Sequence, residues 1–148
     1  MNKELLLARE EGFSSVAYID SLGYPTIGYG TLIGPKGADL KYYTYKVTRE
    51  VAILMARTSM SDNLIKLQML SWFNDLSEDK QIVIESMAYQ LGVNGLLKFK
   101  GMIKALTNKD EKESERQALD SLWAKQTPAR AKRHAAVLGG KSINEVYK

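Results

Sequence analysis

Three side chains near the start of the chain have the types and spacing needed for acid–base chemistry. Asp20 follows Glu11 by nine residues, and Thr26 follows Asp20 by six. A protonated carboxyl that donates to a leaving oxygen, and an ionised carboxyl that holds water, form the pair that cleaves glycosidic bonds. A hydroxyl such as that of Thr26 could position the attacking water. Because the chain has 17 Asp and Glu residues, the spacing is also compatible with carboxylates that only solvate the surface.

The composition excludes several other kinds of site. No Cys is present, which excludes a disulfide framework, a thiolate nucleophile and a thiolate zinc site. The single His, His134, excludes a His-rich metal site, and we expect it at the surface or the edge of the core rather than in catalysis. Gly28 and Gly30 lack the Lys-Ser or Lys-Thr pair of a phosphate loop, so we expect strand packing or turn geometry. Carboxylate chemistry needs no metal or cofactor, and we expect none.

The predicted secondary structure that must position these groups changes along the chain. Residues 3–11 predict a short helix, and residues 16–34 predict a small antiparallel sheet with turn residues between its strands. From Thr48 onward, apolar residues recur at helical spacing. The sequence predicts one α+β domain of 148 residues, with a cleft between two lobes. A small N-terminal antiparallel β lobe covers about 13–47, and a larger helical lobe covers about 48–148 and includes the N-terminal helix.

The helical part divides at turn and capping residues. Thr48 is the expected N-cap of the first long helix, and Gly92 is expected to end the second. The predicted helices run from Thr48 to about Ile65, from Ser77 to Gly92, over 96–107, over 110–124, and from Thr127-Pro128 to Gly139-Gly140.

Aromatic residues cluster in the irregular segment 35–47. Tyr42, Tyr43 and Tyr45 are expected to pack within the fold, with a carbohydrate-binding platform as the alternative. Core positions are expected for Trp72, Phe73 and Trp123.

Charge is distributed unevenly along the chain. Residues 98–148 hold twelve Lys/Arg and six Asp/Glu, a net of +6, whereas the first 97 residues hold nine and eleven, a net of −2. A basic C-terminal part favours an anionic partner such as nucleic acid, a membrane surface or an acidic wall polymer, although it could simply be a solvated face. The N-terminal apolar run is too short for a signal peptide, so we expect synthesis in the cytoplasm and release by another route.

Three ordered motifs connect these features to a known family. They are Glu11-Gly12 with Ala17–Asp20 and Gly23–Gly30, then Met87–Gly92 with Gly95 and Phe99, then Trp123–Arg133. Together they resemble the phage-type (T4-like) lysozymes over nearly the whole chain. The resemblance implies a glycoside hydrolase, a muramidase that cuts the β-1,4 bond between N-acetylmuramic acid and N-acetylglucosamine and lyses bacteria. It implies that Glu11 is the general acid, and that Asp20 and Thr26 position water for an inverting reaction.

The same resemblance implies further site residues. Leu32 and Tyr89 correspond to positions that line the sugar cleft, and Gln117 lies near an amide that contacts sugar. Arg130 corresponds to an arginine that pairs with the catalytic acid. Thr31 departs from the family, which usually has a His there that forms a structural ion pair. We therefore expect no such pair in this protein, and no loss of a catalytic group.

The resemblance also implies the biological setting. An endolysin of this kind is expected to be a monomer that is made in the host cytoplasm, is released with the help of a holin and acts on peptidoglycan, without nucleic acid and without stable membrane insertion. Four alternatives remain open: an inactive wall-binding module on the same fold, a particle-borne lysozyme, a lytic transglycosylase and a basic nucleic-acid-binding protein.

Overall fold

The computed structural model describes residues 1–148 and contains nine α-helices, one 3₁₀ turn and one three-stranded sheet. The bounds are α1 Lys3–Glu11, β1 Ser14–Ile19, β2 Pro25–Gly28, β3 Thr31–Leu32, the 3₁₀ turn Leu40–Tyr42, α2 Arg49–Leu67, α3 Ser71–Asn74, α4 Glu78–Leu96, α5 Lys100–Thr107, α6 Glu111–Leu119, α7 Leu122–Gln126, α8 Pro128–Leu138 and α9 Ile143–Val146. A small antiparallel sheet near the N-terminus and a larger helical part confirm the predicted α+β class. None of the helices combines the length and the apolar character needed to cross a membrane.

The chain forms two compact units. The sheet unit is Glu4–Ser61, and the helical unit comprises Met1–Lys3 together with Asp62–Lys148. The sheet unit extends beyond the expected β lobe of about 13–47, because residues of α1 and α2 pack on its core. The single-domain organisation and the cleft stay predictions.

The sheet unit is built on a meander in which β2 lies between β1 and β3, both antiparallel to it. One face of β2 contributes Ile27 to a core with Tyr29, Val47 and Ala52. Gly28 has a φ of +66°, and a Cβ atom there would lie 2.9 Å from the Cβ of Ala52 on α2. This close approach confirms that Gly28 serves local geometry and packing.

The helical unit has an apolar core, as the periodicity predicted. Phe73 and Trp123 are buried, as expected, whereas Trp72 is half-buried. Other fully buried side chains are Leu67, Ile84, Met87, Leu96, Met102, Leu138 and Ile143. Burial of this apolar surface is the main force that holds the short helices in place.

Several predicted helix ends are confirmed by capping contacts. The backbone N–H of Val51 donates to Thr48 Oγ1 at 3.3 Å, so Thr48 caps α2. Gly92 has φ 72° and ψ 158°, which interrupts α4 before a last short turn. Pro128 occupies the first turn of α8, and Gly139 follows its end.

Other boundaries were wrong. The predicted helix 110–124 is two helices, because Ser121 begins a new one and its hydroxyl accepts from the N–H of Ala124 at 3.1 Å. The predicted helix 96–107 begins only at Lys100. Tyr42 and Tyr45 are 75% and 49% exposed, so the prediction that they pack inside the fold was wrong for these two.

Candidate active site

Asp20 is held by the turn between β1 and β2. Its Oδ1 atom accepts hydrogen bonds from the N–H groups of Leu22 at 2.9 Å and Tyr24 at 2.8 Å. The backbone N–H of Asp20 donates in turn to the carbonyl of Tyr24 at 2.9 Å. A short polar side chain that accepts from the backbone two residues ahead is typical of Asp in tight turns. These contacts fix the carboxylate at the edge of the sheet.

Thr26 lies on the central strand and is only 2% exposed. Its hydroxyl donates to the carbonyl of Tyr24 at 3.0 Å. Because the hydroxyl hydrogen is used in this way, the lone pairs of Oγ1 remain available as acceptors. The side chain can therefore hold a water molecule that donates to it.

Strand register places three side chains in one row across the sheet. Thr26 pairs with Tyr18 on β1 and with Leu32 on β3. Directly opposed residues of antiparallel strands project from the same face, with their Cβ atoms about 4.5–5.5 Å apart. Thr26 and Ile27 alternate along β2, so this row lies on the face opposite the Ile27 core. Thr26 and Leu32 are thus brought together as neighbours, and Tyr18 joins them.

Glu11 reaches the same part of the sheet unit from α1. It is the last residue of that helix, and the helix ends where Gly12 takes a φ of +67°. Burial raises the pKa of the Tyr18 phenol, and the negative charges of Glu11 and Asp20 raise it further. The phenol therefore lies within electrostatic reach of both carboxylates. The sheet unit gathers Glu11, Asp20 and Thr26 around Tyr18.

Tyr18 is the residue of this group to which sequence reasoning assigned no role. Its position near the end of a predicted strand, two residues before Asp20, was the available signal. The strand register with Thr26 could not be derived from the motif alone.

The remaining predicted site residues belong to the helical unit. Tyr89 is half-buried on α4. Gln117 on α6 donates from Nε2 to Glu113 Oε1 at 2.8 Å. Hydrogen bonds from Arg116 and then Gln117 lower the pKa of Glu113 to about 2. Gln117 also borders a groove of about 380 Å³, whose lining includes Leu91, Phe99 and Trp123.

Arg130 on α8 is buried and takes part in a chain of hydrogen bonds. Its Nη2 atom donates to the Ser86 carbonyl at 3.1 Å and to Ser86 Oγ at 2.9 Å. Ser86 Oγ lies 2.9 Å from His134 Nε2, and the Tyr147 hydroxyl lies 2.8 Å from His134 Nδ1. Because arginine can only donate, the Ser86 hydroxyl accepts from Arg130.

The expectation for His134 was therefore wrong. The residue is 0% exposed and lies in the core, not at the surface or the core edge. On α8 it shares the buried side with Arg130, Ala131, Ala135 and Leu138, whose spacings of three or four residues define one face of a helix. The spacing of three or four residues between these positions indicates that His134 lies in the core. The basic residues beside it led to the prediction of a surface or core-edge position.

A second polar contact, which is partly buried, was also missed. The indole N–H of Trp123 donates to Gln90 Oε1 at 2.8 Å. Trp123 packs edge-on against Phe99, with ring centroids 5.9 Å apart. The Gln90 amide thus orients an aromatic side chain that borders the groove beside Gln117.

Comparisons with known proteins agree on one family. A family model described as phage lysozyme matches residues 8–137. The chain is similar to the pre-baseplate central spike protein Gp5 of Enterobacteria phage T4, with 28% identity, but 93% of the chain covers only 28% of that protein. It is also similar to probable T4-type lysozymes 1 and 2 of Dictyostelium discoideum, with 26% and 24% identity. Those alignments cover 94% and 95% of the chain and the same shares of the two relatives.

Proposed function

Since this chain belongs to the phage lysozyme family, we propose that it is a muramidase that lyses bacteria. The proposed substrate is peptidoglycan, and the bond cut is the β-1,4 bond between N-acetylmuramic acid and N-acetylglucosamine. The observation that carries the proposal is the gathering of Glu11, Asp20 and Thr26 within one compact unit, around the row of side chains on the outer face of the sheet. Two carboxyls with different surroundings and a fixed hydroxyl are the groups that the reaction needs.

Each group has a role that matches its local contacts. Glu11 is the general acid and protonates the glycosidic oxygen as its bond to the anomeric carbon breaks. Asp20 accepts a proton from water, whose oxygen attacks the anomeric carbon from the opposite side. Thr26 holds that water through the lone pairs of Oγ1, because its hydrogen is committed to the Tyr24 carbonyl. The anomeric configuration is inverted.

Four further residues are proposed to support the reaction. Leu32 is 56% exposed beside Thr26 and offers an apolar surface to a sugar ring. Tyr89 and Gln117 are proposed as substrate contacts. Arg130 is proposed as the charge partner of Glu11.

The biological setting is also a proposal. A monomeric endolysin made in the host cytoplasm and released through a holin is the main candidate. A particle-borne wall hydrolase is the second candidate, because one relative is a pre-baseplate central spike protein. The chain spans about a quarter of that relative, so the same domain could work inside a larger assembly.

The proposal is tested by digesting purified peptidoglycan and analysing the fragments by mass spectrometry. Wild type is compared with Glu11→Gln and with Glu10→Gln, which removes a neighbouring carboxylate from the same helix. Reducing muramic acid ends from wild type and Glu10→Gln, and none from a folded Glu11→Gln, are the expected result. Anhydro ends would instead establish a lytic transglycosylase. Absence of fragments from the wild type would favour an inactive wall-binding module.

A further inference from the structure

One row of three side chains crosses the face of the sheet that carries Thr26. Thr26 is nearly inaccessible on the central strand, whereas its two cross-strand neighbours, Tyr18 and Leu32, are 38% and 56% exposed. The row thus places a buried residue between two exposed ones. Because the attacking water is assigned to the Thr26 hydroxyl, a sugar that contacts Tyr18 and Leu32 would lie next to the reacting groups.

The exposed side chain of Tyr18 combines an aromatic ring with a polar hydroxyl. No protein group hydrogen bonds the Tyr18 hydroxyl in the structure, although Glu11 and Asp20 lie within electrostatic reach. An aromatic ring with a polar tip is well suited to a sugar, because the ring packs against C–H groups while the hydroxyl bonds to oxygen. Leu32 supplies an exposed apolar surface on the other side of Thr26.

We propose that Tyr18 is a substrate-binding residue of this site, whose ring packs against a sugar of the glycan and whose hydroxyl donates a hydrogen bond to one of its oxygens. This inference rests on the proposed muramidase function and adds a residue to it. The phenol is a dependable donor, since its pKa is raised by burial and by the two carboxylates, which keeps it protonated.

Two substitutions separate the two contributions of Tyr18. Tyr18→Phe keeps the ring and removes only the hydroxyl, whereas Tyr18→Ala removes both. A hydrogen bond between neutral groups is typically worth a factor of about three to ten in affinity. Tyr18→Phe is therefore expected to weaken binding by about that factor, and Tyr18→Ala is expected to weaken it further. Val51→Ala is the control, because Val51 is an exposed apolar residue of the same unit outside the row.

Binding is measured by calorimetry with a soluble tetrasaccharide of alternating N-acetylglucosamine and N-acetylmuramic acid, on Glu11→Gln protein so that no cleavage occurs. Kinetics on the active protein should give a raised KM with kcat little changed for Tyr18→Phe. Affinities that are equal for Tyr18→Phe and for the parent would overturn the role of Tyr18, as would a loss in Val51→Ala equal to that in Tyr18→Ala. If wild type neither binds nor cleaves the glycan, the proposed function itself fails, which is a different result.

Discussion

At the scale of single residues, Asp20 supports both the turn and the proposed chemistry, and the two roles can be separated. Asp20→Asn keeps a side-chain oxygen for the N–H groups of Leu22 and Tyr24, so the free energy of unfolding should change by less than about 0.5 kcal/mol. It removes the charge that accepts a proton from water, so hydrolysis should fall by roughly 100-fold or more. Denaturant unfolding and peptidoglycan turnover measure the two effects.

Asp20→Ala and a second Asp provide the comparison. Asp20→Ala also removes the hydrogen-bond acceptor of the turn. The free energy of unfolding should therefore fall by about 1 kcal/mol, in addition to the loss of activity. Asp39 accepts from the N–H of Lys41 at 3.0 Å in a similar local arrangement, so Asp39→Asn should leave both rate and stability nearly unchanged. Wild-type turnover in Asp20→Asn would remove Asp20 from the proposed mechanism.

The residue scale also explains what the sequence could and could not predict about the site. The spacing of Glu11, Asp20 and Thr26 was visible because all three lie in one short motif. Tyr18 was missed because its relation to Thr26 depends on the strand register, which the types of the residues do not reveal. His134 was misplaced because its basic neighbours dominated the interpretation, while its helical position points to the core.

At the scale of elements, two glycines of the sheet unit have the same backbone conformation but differ in how closely other atoms pack around them. Gly12 and Gly28 have φ values of +67° and +66°, but a Cβ at Gly12 meets nothing within 4 Å. Gly12→Ala should therefore lower the free energy of unfolding only by the cost of a left-handed backbone at alanine, roughly 1–2 kcal/mol. Gly28→Ala adds a clash with Ala52 on α2 and should lower the free energy of unfolding by about a further 1–3 kcal/mol.

The comparison is made by urea unfolding of the two variants and wild type. A larger loss for Gly28→Ala would establish that the approach of β2 to α2 is tight in solution. Equal losses in the two variants would mean that the sheet shifts to admit the methyl group, and the close packing of β2 on α2 would then carry little free energy.

Elements differ in how far the sequence determines them. The helix α2 was predicted well because apolar periodicity and the Thr48 cap agree. The helices α3 and α9 have four residues each, which is too short for a periodic pattern to emerge. The division of 110–124 at Ser121 was missed because the charged residues of α6 continue the helical pattern up to Leu119, and the capping Ser then looks like an ordinary helix residue.

At the scale of the whole molecule, the uneven charge makes a prediction about wall binding. A concavity of about 380 Å³ in the helical unit is lined by Lys132, Arg133, Lys141 and Lys148, together with Glu145. Glu145 is engaged in the cap of α9, where it accepts from the N–H of Ser142 at 2.8 Å. The basic groups therefore outnumber the acidic ones at a surface that can face an anionic polymer.

We expect Glu11→Gln protein to bind isolated cell walls less tightly as salt rises, because the screening length shortens from about 10 Å at 0.1 M to about 3 Å at 1 M. Lys132→Glu with Lys141→Glu should reduce wall binding several-fold at low salt. The control pair Lys36→Glu with Lys66→Glu makes the same change in net charge at exposed lysines outside the basic segment. Cosedimentation with walls over a salt series measures all three proteins.

Comparison of the two double variants distinguishes wall binding by the basic concavity from wall binding by total charge. A loss confined to the Lys132 and Lys141 pair assigns wall attraction to the basic concavity, because both pairs lower the net charge equally. Equal losses in both pairs would assign the attraction to total charge, which acts over longer distances and has no preferred surface. Tighter binding to DNA than to walls, unchanged by Glu11→Gln, would contradict the wall partner and return the basic segment to a nucleic-acid role.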